Sequence, residues 1–437
     1  MKKRVRPFLA LLALTAAILA CDVPIPSVPV PTSSGATTTP PFSPEQVGTA
    51  VALTLTGSVP GETNPTATAP LPGDDDVTSV AASLTPGPDG SGTLLPRTFY
   101  YLSNDSAGLV QVFRIERDGV TQRQITDEPV SVNDYDVSQV DGSVAYVAEN
   151  QLLLINADGS GRRVLVEGGE VDPNNPFIST IGSPVFSPDA QTLAYGYKGL
   201  QIYNFSTGVS DLIIENQIDD VGGGFYVPRE LYSPERYSPN GLKLLITLGY
   251  YEGASSAIYY PATESLVRLT GGEGALICCD DTKWSADGSS FHAANPTMGM
   301  FSPGLWRVDA ATGEVTTLIG GDAGGGNFNV ADEAYLAPDG QLYFLFATVP
   351  APQGVITRSP LQLVRSAPDG VTGRTVISPE DFQLLNEALW APDASFLVAA
   401  MAPSQEIYQG GQAKIVYLDD RPGVVLADSA QQMKWGP

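Results

Sequence analysis

A chain of 437 residues with 23 Lys+Arg against 48 Asp+Glu carries a formal charge of −25. Such a polyanion lacks the basic patch that displaces counterions from nucleic acid or anionic lipid headgroups, so nucleic acid is excluded as a partner. One histidine and three cysteines leave no usual ligand set for zinc or copper, and no cofactor or metal is expected.

Residues 1–21 read as an address. Lys2, Lys3, Arg4 and Arg6 precede an apolar run, Phe8 to Ala20, too short to span a bilayer comfortably. The run ends Ile18-Leu19-Ala20-Cys21 and resembles a bacterial lipobox, in which a small residue precedes a cysteine that is lipidated and becomes the first mature residue. The resemblance implies a chain held to the membrane by lipid on Cys21 and facing away from the cytoplasm. Asp22 resembles the retention signal that keeps some lipoproteins on the outer leaflet of the cytoplasmic membrane. An ordinary secretory signal with an incidental cysteine is the alternative. Without the four basic residues of this segment, 19 Lys+Arg face 48 Asp+Glu, a charge of −29.

Residues 22–95 are rich in Pro, Thr, Ser, Ala and Gly and bury too little apolar surface to offset their ordering entropy. They are expected to form a disordered linker with an end-to-end distance of roughly 50 Å. Its work would be spacing.

From 96 to 437 one phrase recurs: a large residue, a small residue, Pro-Asp-Gly or a variant, then an apolar strand. The copies begin at Val137, Phe186, Tyr237, Trp284, Leu336 and Trp390, spaced 49, 51, 47, 52 and 54 apart, and Trp435 follows 45 later. A period near 50 with four apolar runs per repeat predicts an all-β fold, a β-propeller. Third strands are expected near Val112, Leu153, Gln201, Ile258, Leu305, Leu363 and Ile415. That count predicts a seven-bladed β-propeller, with six blades as the alternative. Gln431 to Trp435 then supplies a first strand that pairs beside Phe99 to Leu102 and closes the ring. The phrase, with its third strand and Gly turn, resembles the TolB-like (WD-like) propeller repeats. That resemblance implies an extracytoplasmic monomeric domain that binds macromolecules and has no catalysis of its own. The chain departs from TolB in blade number, lipid anchor and absence of a structured N-terminal domain.

Chemistry-bearing residues are sparse. His292 lies eight positions after Trp284, a slot that holds Ala145, Ala194, Leu245, Phe344 and Val398 in other repeats. It is therefore expected to be a neutral, buried and hydrogen-bonded packing residue. No Gly-x-Ser-x-Gly elbow accompanies it. Asn156 to Gly161 faintly resembles a calcium loop but falls on a turn and lacks the distal Glu. Asp219-Asp220, Asp280-Asp281 and Asp332-Glu333 are carboxylate pairs capable of acid/base work, more simply read as solvated. Cys278 and Cys279 are adjacent and form either a vicinal disulfide or two thiols.

The first-to-second and third-to-fourth turns are short. Long insertions at 168–180, 215–231, 249–256, 271–281, 295–303, 320–330 and 348–360 all fall at the opposite face. That face collects Asp219, Asp220, Asp280, Asp281 and Asp322 with Phe225, Tyr226, Tyr250, Tyr251, Met298, Met300 and Phe301. Carboxylates beside exposed aromatics suit a protein, peptide or glycan partner. The expected function is a binding or scaffolding module and not an enzyme. The alternative is a glycan-active enzyme using carboxylates on the same face.

Overall fold

The structure, a computed structural model, describes residues 93–437 apart from 252, 273–281, 297–301, 352–357, 379 and 420. Cys21, most of the linker, Cys278, Cys279, Asp280, Asp281, Met298, Met300 and Phe301 lie outside the described residues. Helix among the described residues is confined to one 3-10 turn, Pro176–Ile178, and the rest is strand and turn.

The recurrent phrase turns the chain for a local reason. The Ser187 hydroxyl donates to Asp189 Oδ1 at 2.7 Å and accepts from the Thr192 amide at 3.0 Å, and the Gln191 amide donates to Asp189 Oδ1 at 3.1 Å. Ser238 with Asn240 and Ser285 with Asp287 repeat the arrangement, at 2.8 and 2.7 Å. Short polar side chains thus satisfy the amides that the turn frees. The residue after the Asp or Asn is left-handed: Gly241, Gly288 and Gly340 at φ +70°, +66° and +79°, but also Ala190 and Ala394 at +53° and +57°. Asn156 to Gly161 is a turn of the same economy, with the Ser160 amide donating to Asp158 Oδ1 at 2.9 Å.

Six hydrogen-bonded sheets result among the described residues, with four, four, five, five, five and seven strands. In the seven-stranded sheet the long strand Val424–Trp435 serves two neighbours. Its first half pairs with Gly411–Tyr417 (Ile415↔Val424) and its second half with Phe99–Asn104 (Phe99↔Trp435, Tyr100↔Lys434). The expected closure beside Phe99 to Leu102 is therefore present.

Packing between sheets completes the circuit. Buried apolar side chains gather in seven clusters, each drawn from two successive strand groups. Phe99 and Tyr101 face Phe396 and Ile415, whereas Tyr100 and Leu102, on the other side of the same strand, face Tyr135 and Tyr146. Strand alternation alone sends successive residues into two different clusters. Each fully buried large apolar side chain contributes about 1.5–3 kcal/mol. The architecture is a β-propeller.

Two expectations change. Leu95, assigned to the linker, is buried beside Phe99, and the Leu94 and Leu95 amides both donate to the Arg117 carbonyl at 2.9 Å. Composition hides this because two leucines at the end of a Pro/Gly-rich run do not alter its average. Three of the long insertions are not open loops. Gln217–Gly222 pairs with Phe225–Tyr237, Asp322–Gly324 pairs with Asn327–Leu336, and Leu244–Tyr250 turns tightly into Gly253–Tyr260. Glycine tips with positive φ let these polar segments continue as hairpins.

Two outcomes are expected. Ala190→Gly should raise stability by roughly 1 kcal/mol by relieving a left-handed alanine, and Gly340→Ala, whose new Cβ meets nothing within 4 Å, should lower it by about as much. Urea midpoints check both signs. Deleting residues 428–437 should bare the edge of Phe99–Asn104 and the Gly411 end of Gly411–Tyr417 and cause aggregation, seen by light scattering. A truncated chain that melts like the whole one would make the closing strand dispensable.

Candidate functional site

The candidate residues of the long-connection face come together mainly on one hairpin. Asp219 and Asp220 lie on Gln217–Gly222, opposite Val227 and Tyr226. Phe225 at the tip is 68% exposed, Tyr226 37%, and Tyr251 60%. The hairpin is fixed at its tip by the preceding connection: Asn175 donates to the Gly224 carbonyl at 3.2 Å and is itself held by Asp172 at 2.8 Å. At its base, Glu230 is buried and takes both arms of the Arg268 guanidinium at 2.6 and 2.7 Å, with Tyr232 donating to the same carboxylate. Arg268 holds that carboxyl below its ordinary range despite burial. Tyr250 is half-buried against this base and is less a surface aromatic than the sequence implied. Asp322 is exposed on the second hairpin, away from the first in the chain order of sheets.

A second constellation, not singled out in the sequence, lies on the first strands of the groups, which line the axis of a propeller. Asp134 Oδ2 accepts from the Ser183 amide at 2.8 Å, Asp136 Oδ2 from Phe186 at 2.7 Å, and Glu333 Oε1 from Ala388 at 3.0 Å. Glu387 Oε1 likewise accepts from the Met433 amide. Each carboxyl thus reaches the backbone of the next first strand. Lys434 Nζ sits 3.1 Å from Asp136 Oδ1, and Lys283 Nζ 3.4 Å from Glu333 Oε2. Asp332 and Glu333 are not the solvated pair expected: Glu333 is buried, with φ +49° at a bulge in its strand. Burial, then repulsion from Glu333, pushes the Asp332 carboxyl up to about 8. Burial also pushes Glu387 up to about 7, reinforced by Glu333 and opposed by the Met433 amide and Lys283. Burial works against the charge on Lys434, but Asp136 and Asp134 prevail and raise its pKa.

A signal for this layer existed. Counting Trp435 as a seventh lead residue, the third residue before the lead is acidic in four copies (Asp134, Asp281, Glu333 and Glu387), and the residue immediately before it is charged in four (Asp136, Arg236, Lys283 and Lys434). Burial lets the arrangement hold protons near neutral pH. No group of three or more His, Cys, Asp or Glu among the described residues is placed to hold a metal ion.

His292 is 1% exposed, opposite Lys283 and Arg307 across the strands. Burial, then the Arg307 charge, lowers its pKa to about 4, so it is neutral as expected. The expected hydrogen bond is missing: neither ring nitrogen has a partner among the described residues.

No family model matches the chain, and no curated protein matches it. Among solved structures, TolB from Acinetobacter baumannii is similar at 17% identity over 74% of this chain and 77% of that one, with a TM-score of 0.38. A structure from work on two prolyl endopeptidases is similar at 14% over 78% of this chain, which spans 49% of that one, with a TM-score of 0.49. An oligogalacturonate lyase in complex with manganese is similar at 10% over 75% of this chain and 84% of that one, with a TM-score of 0.47. At this distance no residue role is transferred.

The axial carboxyls make a pH prediction. Free carboxyls titrate at about 4, whereas Asp332 and Glu387 keep their protons to about 8 and 7. Between those limits the folded state binds more protons than the unfolded state, so these two groups make stability fall as pH rises. Asp332→Asn with Glu387→Gln should therefore melt above the parent at pH 8, with the gain shrinking toward pH 4. A double variant that melts lower at pH 8 would mean that the two carboxyls are paired and not penalised.

Proposed function

We propose that the chain is a membrane-anchored, extracytoplasmic binding module: a seven-bladed propeller carried on a flexible linker of residues 22–95, with lipid on Cys21. Partners engage the face on which the long connections lie. The observation that carries this reading is the hairpin Gln217 to Glu230, an extension that leaves Phe225 exposed while its base is locked by Arg268 and Glu230. Large apolar side chains held in water on a rigid mount suit association. Support for seven blades comes from the double service of Val424–Trp435, which ends one four-strand group and begins the next, and from the seven buried clusters. The likeness of Ile18 to Cys21 to a lipobox supports the anchor.

Raised pKa values on Asp332 and Glu387 favour a second reading, a glycan-active enzyme whose protonated carboxyl acts as general acid. The two readings predict different losses. For the binding module, Phe225→Ser with Tyr251→Ser should abolish crosslinked capture of envelope partners with little change in melting, and Asp332→Asn should leave capture intact. Tyr250 is left unaltered because it packs at the Glu230 base. Cys21→Ser should release the protein from the membrane fraction. Glycan cleavage abolished by Asp332→Asn would establish the enzyme instead, and a Cys21→Ser chain that still sediments with membrane would remove the lipid anchor.

A further inference from the structure

Two hairpins of this fold share one tip. Asp220-Val-Gly-Gly-Gly-Phe-Tyr226 and Asp322-Ala-Gly-Gly-Gly-Asn-Phe328 have the same spacing. In each, the first glycine amide donates to the aspartate Oδ1 at 2.8 Å, between Gly222 and Asp220 and between Gly324 and Asp322. The three glycines take φ of +88°, +69° and +81° in one hairpin and +77°, +64° and +80° in the other. Cross-strand pairs match as well: Asp220↔Tyr226 with Asp322↔Phe328, and Gly222↔Phe225 with Gly324↔Asn327. The same backbone tip therefore forms with Ala323 and Asn327, the latter donating to the Gly324 carbonyl at 3.3 Å, as with Val221 and Phe225.

That equivalence isolates Val221 and Phe225. They are 62% and 68% exposed, and the twin shows that the turn does not require them. Keeping two large apolar side chains in water at a projecting tip has no folding benefit to set against its solvation cost. Asp219 and Asp220 stand beside them on the edge strand, in a chain of net charge −25. Arg229 approaches Asp219 at 3.5 Å, an exposed pair that is easily exchanged for another cation. A strand rise of about 3.3 Å per residue puts Phe225 roughly 16 Å beyond Glu230 and the neighbouring Tyr251 turn, the reach of about five extended residues.

We infer that this hairpin is the docking strip for an extended basic polypeptide, whose Lys or Arg side chains meet Asp219 and Asp220 while its apolar residues cover Val221 and Phe225. The inference rests on the long-connection face being the working face. Charge favours a basic peptide over a neutral glycan, and the aromatic faces of Phe225 and Tyr226 add cation–π attraction.

The full chain is titrated with a fluorescent peptide of alternating arginine and valine, with a serine–glycine peptide and a neutral oligosaccharide as comparison probes. The decisive variant is Val221→Ala with Phe225→Asn, which gives the first tip the residues of its twin and keeps the net charge. It is expected to melt with the parent and to bind the basic peptide roughly tenfold more weakly. Asp219→Asn should weaken binding mainly at low salt. Unchanged peptide affinity in the double variant would overturn the docking strip and reduce binding to general electrostatics. Binding of the oligosaccharide alone would overturn the basic polypeptide and leave the face intact. Peptide binding lost only with Asp158→Asn and Asp189→Asn, on the short-turn face, would overturn both the strip and the working face.

Discussion

The structure depends on how each first strand is fastened to the next across the axis. Adjacent sheets of a propeller share no backbone ladder there, so side chains make the joints. Carboxyls of Asp134, Asp136, Glu333 and Glu387 take backbone amides from the following strand. Indoles work in the opposite direction: Trp390 donates to the Glu333 carbonyl at 2.8 Å, and Trp435 to the Trp390 carbonyl at 2.7 Å. Tyr135 donates to the Gln432 carbonyl at 2.6 Å and carries the chain of joints across the closure. Each is a bond to a partly or fully buried backbone group, where an unmet donor or acceptor costs about 1–3 kcal/mol.

These joints gather carboxyls where water is scarce, and the charge must be managed. Lys283 and Lys434 offset part of it. Asp332 keeps its proton near neutral pH and Glu387 shares in the same upward shift, because burial outweighs the cations nearby. Fastening and proton storage are thus two consequences of one layer. The buried joint at the connections obeys the same rule with a different outcome. Glu128 meets Arg162 at 2.7 and 2.9 Å and, like Glu230 with Arg268, is held ionised by a two-armed guanidinium.

The outer parts of the chain are freer. On the short-turn face, connections such as those at Ser187 and Ser285 are closed by bonds from the serine hydroxyl to the aspartate two residues on. On the other face the hairpins lengthen without disturbing the core, since their tips have room to spare: a Cβ added at Gly222, Gly224, Gly324 or Gly326 would touch nothing within 4 Å. A rigid ring with extensible hairpins can change partner without changing fold.

Repeat spacing and turn chemistry were enough, in the sequence, to place the strands. The phrase beginning at Phe186 encodes its own turn through Ser187 and Asp189, and local bonds of that kind need no tertiary context. The partnership of Trp435 with Phe99 followed from a missing first strand, which only the far end of the chain can supply. Other features lay beyond composition and spacing. Whether Asp332 and Glu333 are solvated depends on which strands surround them, and a carboxylate pair looks the same in either setting. Tyr250 and Tyr251 are equivalent as letters, but Tyr250 ends a strand and packs half-buried near Glu230, whereas Tyr251 begins the turn and faces water. The insertions at 215–231 and 320–330 read as loops because they are polar. Cross-strand bonds, decided only when Asp220 meets Tyr226 and Asp322 meets Phe328, made them hairpins. Sequence determined the period, the turns and the closing strand because these are local or arithmetic. Tertiary structure decided burial, protonation and exposure, because each depends on neighbours about 50 residues, or one repeat, away.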